Sequence, residues 1–247
     1  MLVEGGSTFI LLLVRLTPMI LILPGIGARY ILQRHRIAFS FLIGYFCLPA
    51  IIVEPLQFEK AIQISGSILI FEFLIGTMYG ITLRSLIFSL QIAGAVIAQS
   101  ISLAQLLGAN VAHDSQSSIS NILTVCGVTL LVISGFLENF IFMVVDSYSK
   151  FPIGTEIFAQ KALTTVQQIF SSCLELSMQL SMPFILLATY YNMLLAVVNR
   201  AMPQLLVSFI GVPAVLATSL ALFLGLSEPI LKEWRLASFN YTMIIGQ

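Results

Sequence analysis

The sequence predicts an all-α membrane-associated protein with about six to seven hydrophobic helices arranged in hairpins. Three observations support this fold class. Hydrophobic residues make up 58% of the 247-residue chain and charged residues only 9%, whereas a soluble domain has about 25% charged residues. The mean hydropathy is +1.02. The apolar residues are also gathered into long runs, and a helix that crosses a membrane needs about 20 of them.

The predicted helices follow these runs in chain order. Two runs contain a single charge each, Arg15 in 5–23 and Glu72 in 61–83. Five further runs contain no Asp, Glu, Lys or Arg: 37–53, 85–113, 115–137, 176–199 and 201–227. The connections between the runs are short, which leaves no room for a separate soluble domain. We therefore expect one helical domain over residues 1–247.

Basic residues in the first connection predict the orientation of the chain. The connection 24–36 contains Arg29, Arg34 and Arg36 and no acidic residue, whereas 54–60 contains two acidic residues and one lysine. Short loops rich in Lys and Arg usually remain in the cytoplasm. We therefore expect the first connection on the cytoplasmic side and the N-terminus outside.

Small residues at helical spacing predict a helix-packing seam. The predicted seam residues share a four-residue spacing within two stretches: Gly76 and Gly80, then Gly94, Ala98 and Ser102. Residues four apart lie on one helix face, and small side chains allow two backbones to approach closely. The alternative is that this face lines a path for a substrate.

Arg15 and Glu72 are predicted to be buried charges, because each lies in the middle of an apolar run. A charged side chain inside a membrane protein is costly and usually has a partner or a function. Arg84, Glu175 and Arg200 instead border their runs, where a long side chain can reach the water interface. The sequence does not indicate the partner of either buried charge.

The stretch 107–121 is polar and separates two hydrophobic runs. One interpretation is a solvated loop in which Asp114 or Ser115 caps the following helix. The other is a re-entrant segment, which is tolerated at membrane depth only where protein or a cavity surrounds it. Both interpretations remain open on the chemistry of the residues alone.

The last 100 residues predict an amphipathic helix followed by a hydrophobic hairpin. Pro152 and Gly154 should interrupt any helix before residue 161, and apolar residues then recur at three- and four-residue steps up to Leu174. The hairpin is predicted from 177–198 and 205–226. Its methionines are expected in the core, because flexible thioethers fill irregular gaps: Met178, Met182, Met193 and Met202.

The sequence also excludes several classes of function. It contains no phosphate-binding loop of the Walker type, no His-Glu-x-x-His and no Cys-x-x-Cys. Its three cysteines are far apart, which argues against a disulfide framework or a zinc site. The net charge of zero provides no basic field for nucleic acid. We therefore expect no enzymatic activity, no cofactor and no metal site.

Several landmarks, taken in order, resemble one known family. They are Arg15-Leu-Thr-Pro18 with Leu23-Pro24-Gly25, Glu72-Phe-Leu-Ile-Gly76, Gln91-Ile-Ala-Gly94, Phe151-Pro152-Ile153-Gly154, Asn199-Arg200-Ala201-Met202-Pro203-Gln204 and Gly211-Val212-Pro213. The set resembles the FliR family, the flagellar subunits of the type III secretion export gate. SctT-like subunits of injectisomes are the close relatives. The resemblance covers roughly residues 8–235, although Leu206 stands where the family usually has Asn.

The resemblance implies a channel-forming subunit of the flagellar export gate in the bacterial inner membrane, at the flagellar basal body. FliR-like subunits resemble a FliP-like part fused to a FliQ-like hairpin, here 1–175 and 176–247. The implied partners are FliP-type and FliQ-type subunits, an FlhB-type switch protein, membrane lipid and unfolded exported proteins in transit, with no nucleic acid. The alternatives are an injectisome subunit and a stand-alone secondary transporter.

The resemblance also assigns roles to two short segments. By position, 107–121 is similar to the loop that plugs the closed channel, which favours the re-entrant interpretation. The expected plug residues are Gly108, Asn110, His113, Asp114 and Gln116. The expected hairpin turn between the last two helices contains Asn199, Arg200, Pro203 and Gln204.

Overall fold

The computed structural model describes residues 2–24, 32–52, 65–100, 118–153, 159–201 and 207–245. Every regular element in these ranges is an α-helix. The helices are α1 (Leu2–Ile22), α2 (Gln33–Ile52), α3 (Gly66–Ser100), α4 (Ser118–Ile133), α5 (Phe136–Lys150), α6 (Ala159–Ala201) and α7 (Val207–Ile245). The predicted all-α class and the approximate number of helices are therefore confirmed.

Three helices are longer than the charge-free runs that predicted them. α3 continues past Arg84 and joins two predicted runs into 35 residues, because arginine is a good helix former whose stem can lie along apolar surface. α6 likewise joins the amphipathic segment to the first arm of the hairpin over 43 residues. α7 extends through the charged stretch 228–235, where Glu228 and Lys232 have the spacing that supports a helix.

One predicted run ends close to a sharp bend of the chain. The run 115–137 contains α4 and the first two residues of α5, and these two helices are bent by 70° at the break between them. Gly135 lies at this break with φ 75°, a left-handed conformation that glycine adopts without steric cost. A glycine inside a hydrophobic run is a weak signal, so hydropathy alone did not predict the break.

Within the described ranges, two helices are long and apolar enough to cross a membrane: α3 and the part of α6 over Val166–Val198. The bent pair of α4 and α5 makes a third if it is one broken span. These helices agree with the composition, and the prediction of a membrane protein is confirmed.

Contacts divide the chain into two compact units. Unit 1 contains Met1–Leu86, Leu131–Ser171 and Thr242–Gln247. In unit 1, α1 packs on α2 and α2 packs on α5. The core side of α1 is formed by residues three or four positions apart, all buried: Thr8, Leu12, Arg15, Leu16 and Met19. Arg15 therefore occupies a core position of an amphipathic helix.

Unit 2 contains Ile87–Leu130 and Ser172–Tyr241. Its core surrounds Trp234, a fully buried side chain whose indole nitrogen donates a hydrogen bond to Ser89 Oγ at 3.1 Å. Gly127 lies against Leu90 and the Trp234 ring, where a larger side chain would collide with Leu90. Each unit is made of segments that are separate in the sequence. The units therefore do not test the expected division into 1–175 and 176–247, which stays a prediction.

Candidate functional site

The main polar feature of unit 1 is a cluster around Arg15, a side chain only 1% exposed. Its Nε donates a hydrogen bond to Glu72 Oε2 at 2.6 Å, and Glu72 is also 1% exposed. Nη1 donates to the carbonyl oxygen of Ser147 at 3.0 Å and to its Oγ at 3.3 Å. Nη2 donates to the carbonyl oxygen of Phe151 at 2.8 Å. The two buried charges that the sequence left unpaired are thus partners.

An aromatic ring completes the surroundings of the guanidinium. Arg15 Cζ lies 3.8 Å from the centroid of the Tyr148 ring, and Tyr148 is itself buried. A cation held over an aromatic face at this distance is attracted by the ring quadrupole, by about 2 kcal/mol when desolvated. The positive charge is therefore compensated by Glu72, two backbone carbonyls and an aromatic face.

The carbonyls that Arg15 binds belong to the C-terminal end of α5. The last carbonyls of a helix lack partners inside the helix and carry partial negative charge. Phe151 N donates to the carbonyl oxygen of Ser147 at 3.0 Å and closes the last turn. Arg15 therefore caps α5 while it pairs with Glu72 of α3, so that one side chain of α1 joins three helices.

Two of the predicted seam residues explain how Glu72 reaches Arg15. Gly76 and Gly80 follow Glu72 at four-residue steps on α3. A Cβ at Gly76 would collide with the carbonyl oxygen of Arg15, and one at Gly80 would lie 3.2 Å from that of Pro18. Without side chains at these positions, the α3 backbone approaches α1 closely enough for the ion pair to form.

The later seam residues make a different contact, inside unit 2. Gly94 lies against the first turn of α4, where a Cβ would be 2.5 Å from Ser120 Cα. Ser120 Oγ donates a hydrogen bond to the carbonyl oxygen of Gln91 at 3.0 Å. Ala98 is buried, and Ser102 lies outside the described residues. The single predicted seam therefore corresponds to two separate contacts, one with α1 and one with α4.

The expected plug lies outside the part of the chain that the structure describes. This applies to Gly108, Asn110, His113, Asp114 and Gln116, and also to Pro203 and Gln204 of the expected hairpin turn. Asn199 and Arg200 belong to the last turn of α6, and Arg200 is exposed. The plug and turn assignments stay predictions.

A long apolar face of α6 is exposed, and the sequence did not predict it. Its residues follow one another at four-residue steps and are between 39% and 64% exposed: Phe170, Leu174, Met178, Met182, Leu186 and Tyr190. The opposite face supplies buried core residues, Cys173, Leu180 and Phe184 among them. Met193 is also exposed, at 66%, so the expectation that Met178, Met182 and Met193 lie in the core is wrong, and Met202 lies outside the described residues. An exposed apolar surface of this extent marks an interaction site with protein or lipid.

The sequence signal for this face was present but ambiguous. Apolar residues occur on both sides of α6, so periodicity shows a helix without showing which side the rest of the chain covers. Among the described residues, no group of three His, Cys, Asp or Glu side chains is placed to hold a metal ion. The arrangement is suited to holding helices together and to binding apolar partners.

Comparison with known proteins connects this architecture to protein export. The family model described as "Bacterial export proteins, family 1" matches residues 7–239. The flagellar biosynthetic protein FliR of Caulobacter vibrioides is 28% identical over 218 residues, which are 88% of this chain and 84% of the relative. The FliR proteins of Aquifex aeolicus and Bacillus subtilis are 27% and 25% identical, each over 224 residues. These two alignments cover 91% and 85% of this chain and 86% and 82% of the relatives.

Proposed function

The chain belongs to the bacterial export proteins, family 1, and on this premise we propose that it is a channel-forming subunit of the flagellar type III protein export gate. The observation that carries the proposal is the family match over residues 7–239, nearly the whole chain. The flagellar system is favoured over an injectisome because the relatives from Caulobacter, Aquifex and Bacillus are all named flagellar biosynthetic proteins. The proposed location is the bacterial inner membrane at the flagellar basal body.

The proposed role requires surfaces that bind other subunits, and the exposed face of α6 is suited to this. From Phe170 to Tyr190 it extends about 30 Å along the helix, and each of its residues is apolar or aromatic. We infer that FliP-type and FliQ-type subunits and an FlhB-type switch protein cover this face. In this assembly 1–175 is the FliP-like part and 176–247 the FliQ-like hairpin.

The Arg15 cluster has a structural role in the proposed function. A gate must keep its wall intact while an unfolded chain moves past, so the helices of each subunit need one fixed arrangement. Removing one partner from a buried ion pair costs about 3–5 kcal/mol, because the other charge stays desolvated. A displacement of α1, α3 or α5 meets a penalty of this kind when it separates Arg15 from Glu72 or from the end of α5.

We also propose that the polar stretch 107–121 is the plug of the closed channel. The resemblance to the family supports the position, and the composition supports the behaviour. Gly108 and the serines that follow Asp114 have small side chains, as we expect of a segment that must be displaced when the channel opens. The chain itself has no catalytic role in this proposal, and the energy for export comes from a membrane gradient and partner proteins.

The test is purification of the chain from its own host in mild detergent, followed by identification of every co-purifying protein. We expect FliP-type and FliQ-type subunits in constant ratio to the chain. A strain that lacks the chain should lose flagella and regain them when the gene is returned. If the chain purifies alone and transports a small solute in vesicles, it is a transporter and the proposal is wrong. If it co-purifies with injectisome subunits, the flagellar assignment is wrong.

A further inference from the structure

An apolar groove in unit 1 lies between α2 and α5. Its volume is about 200 Å³, and its lining residues are Phe39, Leu42, Ile43, Phe46, Cys47, Leu137, Phe140 and Ile141. Ile43, Cys47 and Phe140 are buried and form its base, whereas Leu42 and Phe46 on its rim are 54% and 71% exposed. All of its lining side chains are apolar or a buried thiol, so the groove is suited to a hydrocarbon chain.

Basic side chains precede the groove on the same helix. Residues three, four and seven apart share a face of an α-helix. His35 therefore lies on the same helix face as Phe39 and Leu42, and Arg36 lies on the same face as Phe39 and Ile43. Arg34 is adjacent and exposed. A positively charged end thus leads directly into an apolar groove, a pattern complementary to an anionic amphiphile.

The dimensions agree with one leaflet of a membrane. The eleven helical steps from Arg36 to Cys47 extend about 16 Å along α2, close to half of the roughly 30 Å hydrocarbon core. A helix segment about 16 Å long and about 10 Å across occupies several times the volume of the groove. A single hydrocarbon chain fits it better than a helix does.

We propose that the groove binds an acyl chain of an anionic phospholipid whose headgroup phosphate is held by Arg36, with Arg34 adding positive charge at the same end of α2. Basic pockets between membrane helices recognise anionic headgroups in this way. The proposal depends on the chain being a membrane protein, and it does not depend on the flagellar assignment. The bound lipid would fill the groove between α2 and α5 and stabilise their contact.

The test is photocrosslinking of the purified protein in phosphatidylcholine vesicles that contain a small fraction of phosphatidylglycerol with a photoreactive acyl chain. We expect label on peptides that contain 39–47 and 137–141. The double variant Arg34→Gln/Arg36→Gln should weaken phosphatidylglycerol labelling about 25-fold, since each basic residue contributes about fivefold near an anionic surface. Labelling by a photoreactive phosphatidylcholine should not change.

Two tryptophan variants separate the groove from the surface of the helix. Leu42→Trp places a large ring on the rim of the groove and should abolish labelling of 137–141. Tyr45→Trp changes an exposed residue of α2 that does not line the groove and should leave the labelling intact. Circular dichroism and complex yield confirm that each variant folds.

Two results would overturn the proposal. In the first, the two lipids label the protein equally and Leu42→Trp does not reduce this labelling. That result would indicate nonspecific contact with the bilayer. In the second, the lipid does not label the assembled complex, and a crosslink forms instead between α2 and a partner subunit. In that case a protein side chain fills the groove.

Discussion

Arg15 uses all three guanidinium nitrogens in hydrogen bonds to Glu72, Ser147 and Phe151. Lysine could not replace it, because an ammonium group is a compact charge without the planar, forked geometry of a guanidinium. The position requires arginine for its shape as well as for its charge. At the residue scale, one side chain and its partners therefore link α1, α3 and α5.

We predict that Glu72→Gln destabilises the protein by about 3–5 kcal/mol, because it leaves the buried guanidinium without its counter-charge. The measurement is the free energy of unfolding in detergent or lipid. Glu228→Gln is the control, since Glu228 is exposed on α7, and its effect should lie within about 0.5 kcal/mol. Equal effects of the two variants would show that the ion pair contributes nothing.

A second residue-scale prediction concerns Gly76. We expect Gly76→Ala to destabilise unit 1, because the added methyl group collides with the carbonyl oxygen of Arg15 and separates α3 from α1. Gly225→Ala is the matched control, since a Cβ at Gly225 meets no other described atom within 4 Å. That variant should stabilise α7 by about 0.5–1 kcal/mol, the usual gain from Gly to Ala inside a helix. Thermal unfolding of both variants in detergent measures the difference.

At the scale of helices, the contact between α3 and α4 depends on Gly94. We predict that Gly94→Leu lowers the yield of folded chain and blocks assembly, because its side chain would occupy the position of the Ser120 backbone. Gly66→Leu on the same helix is the control, since a Cβ there is free of described neighbours. Normal complex yield from Gly94→Leu would contradict the assigned contact.

The exposed face of α6 gives a further prediction at this scale. We expect Met182→Glu to abolish co-purification of FliP-type and FliQ-type subunits, because a carboxylate in an apolar interface loses its hydration without gaining a partner. The fold of the chain should persist, since Met182 is exposed. Gln179→Glu, in the polar row beside Glu175, should leave co-purification unchanged. Loss of partners in both variants, or in neither, would reject this face as the interface.

Hydropathy predicted the helices better than it predicted their ends. A charged residue such as Arg84 ends a hydropathy run but not a helix, because helix continuity depends on backbone hydrogen bonds that arginine does not disturb. A glycine such as Gly135 has the opposite effect, since it leaves the hydropathy run nearly intact and permits a sharp change of direction. Hydrophobic burial and backbone conformation are separate properties, and the apolar pattern reports only the first.

For the whole molecule, the plug assignment leads to a prediction about permeability. We predict that deletion of 109–117 leaves the complex assembled and makes cells permeable to small ions, because the proposed role of this segment is to block the channel and not to join subunits. The measurement is membrane potential in cells that express the variant, with complex yield measured in parallel. Unchanged permeability in an assembled mutant would contradict the plug role.

The sequence by itself determined the class of the protein, because composition, apolar runs and helix spacing are properties of residues close together in the chain. It also indicated which residues were unusual: Arg15, Glu72 and the glycines of α3. The tertiary structure decided what these residues contact. Arg15 and Glu72 are 57 positions apart, and no local pattern encodes a pairing over that distance. The tertiary structure also determined which side of α6 is exposed, since an apolar side chain has the same driving force for burial on either face of a helix.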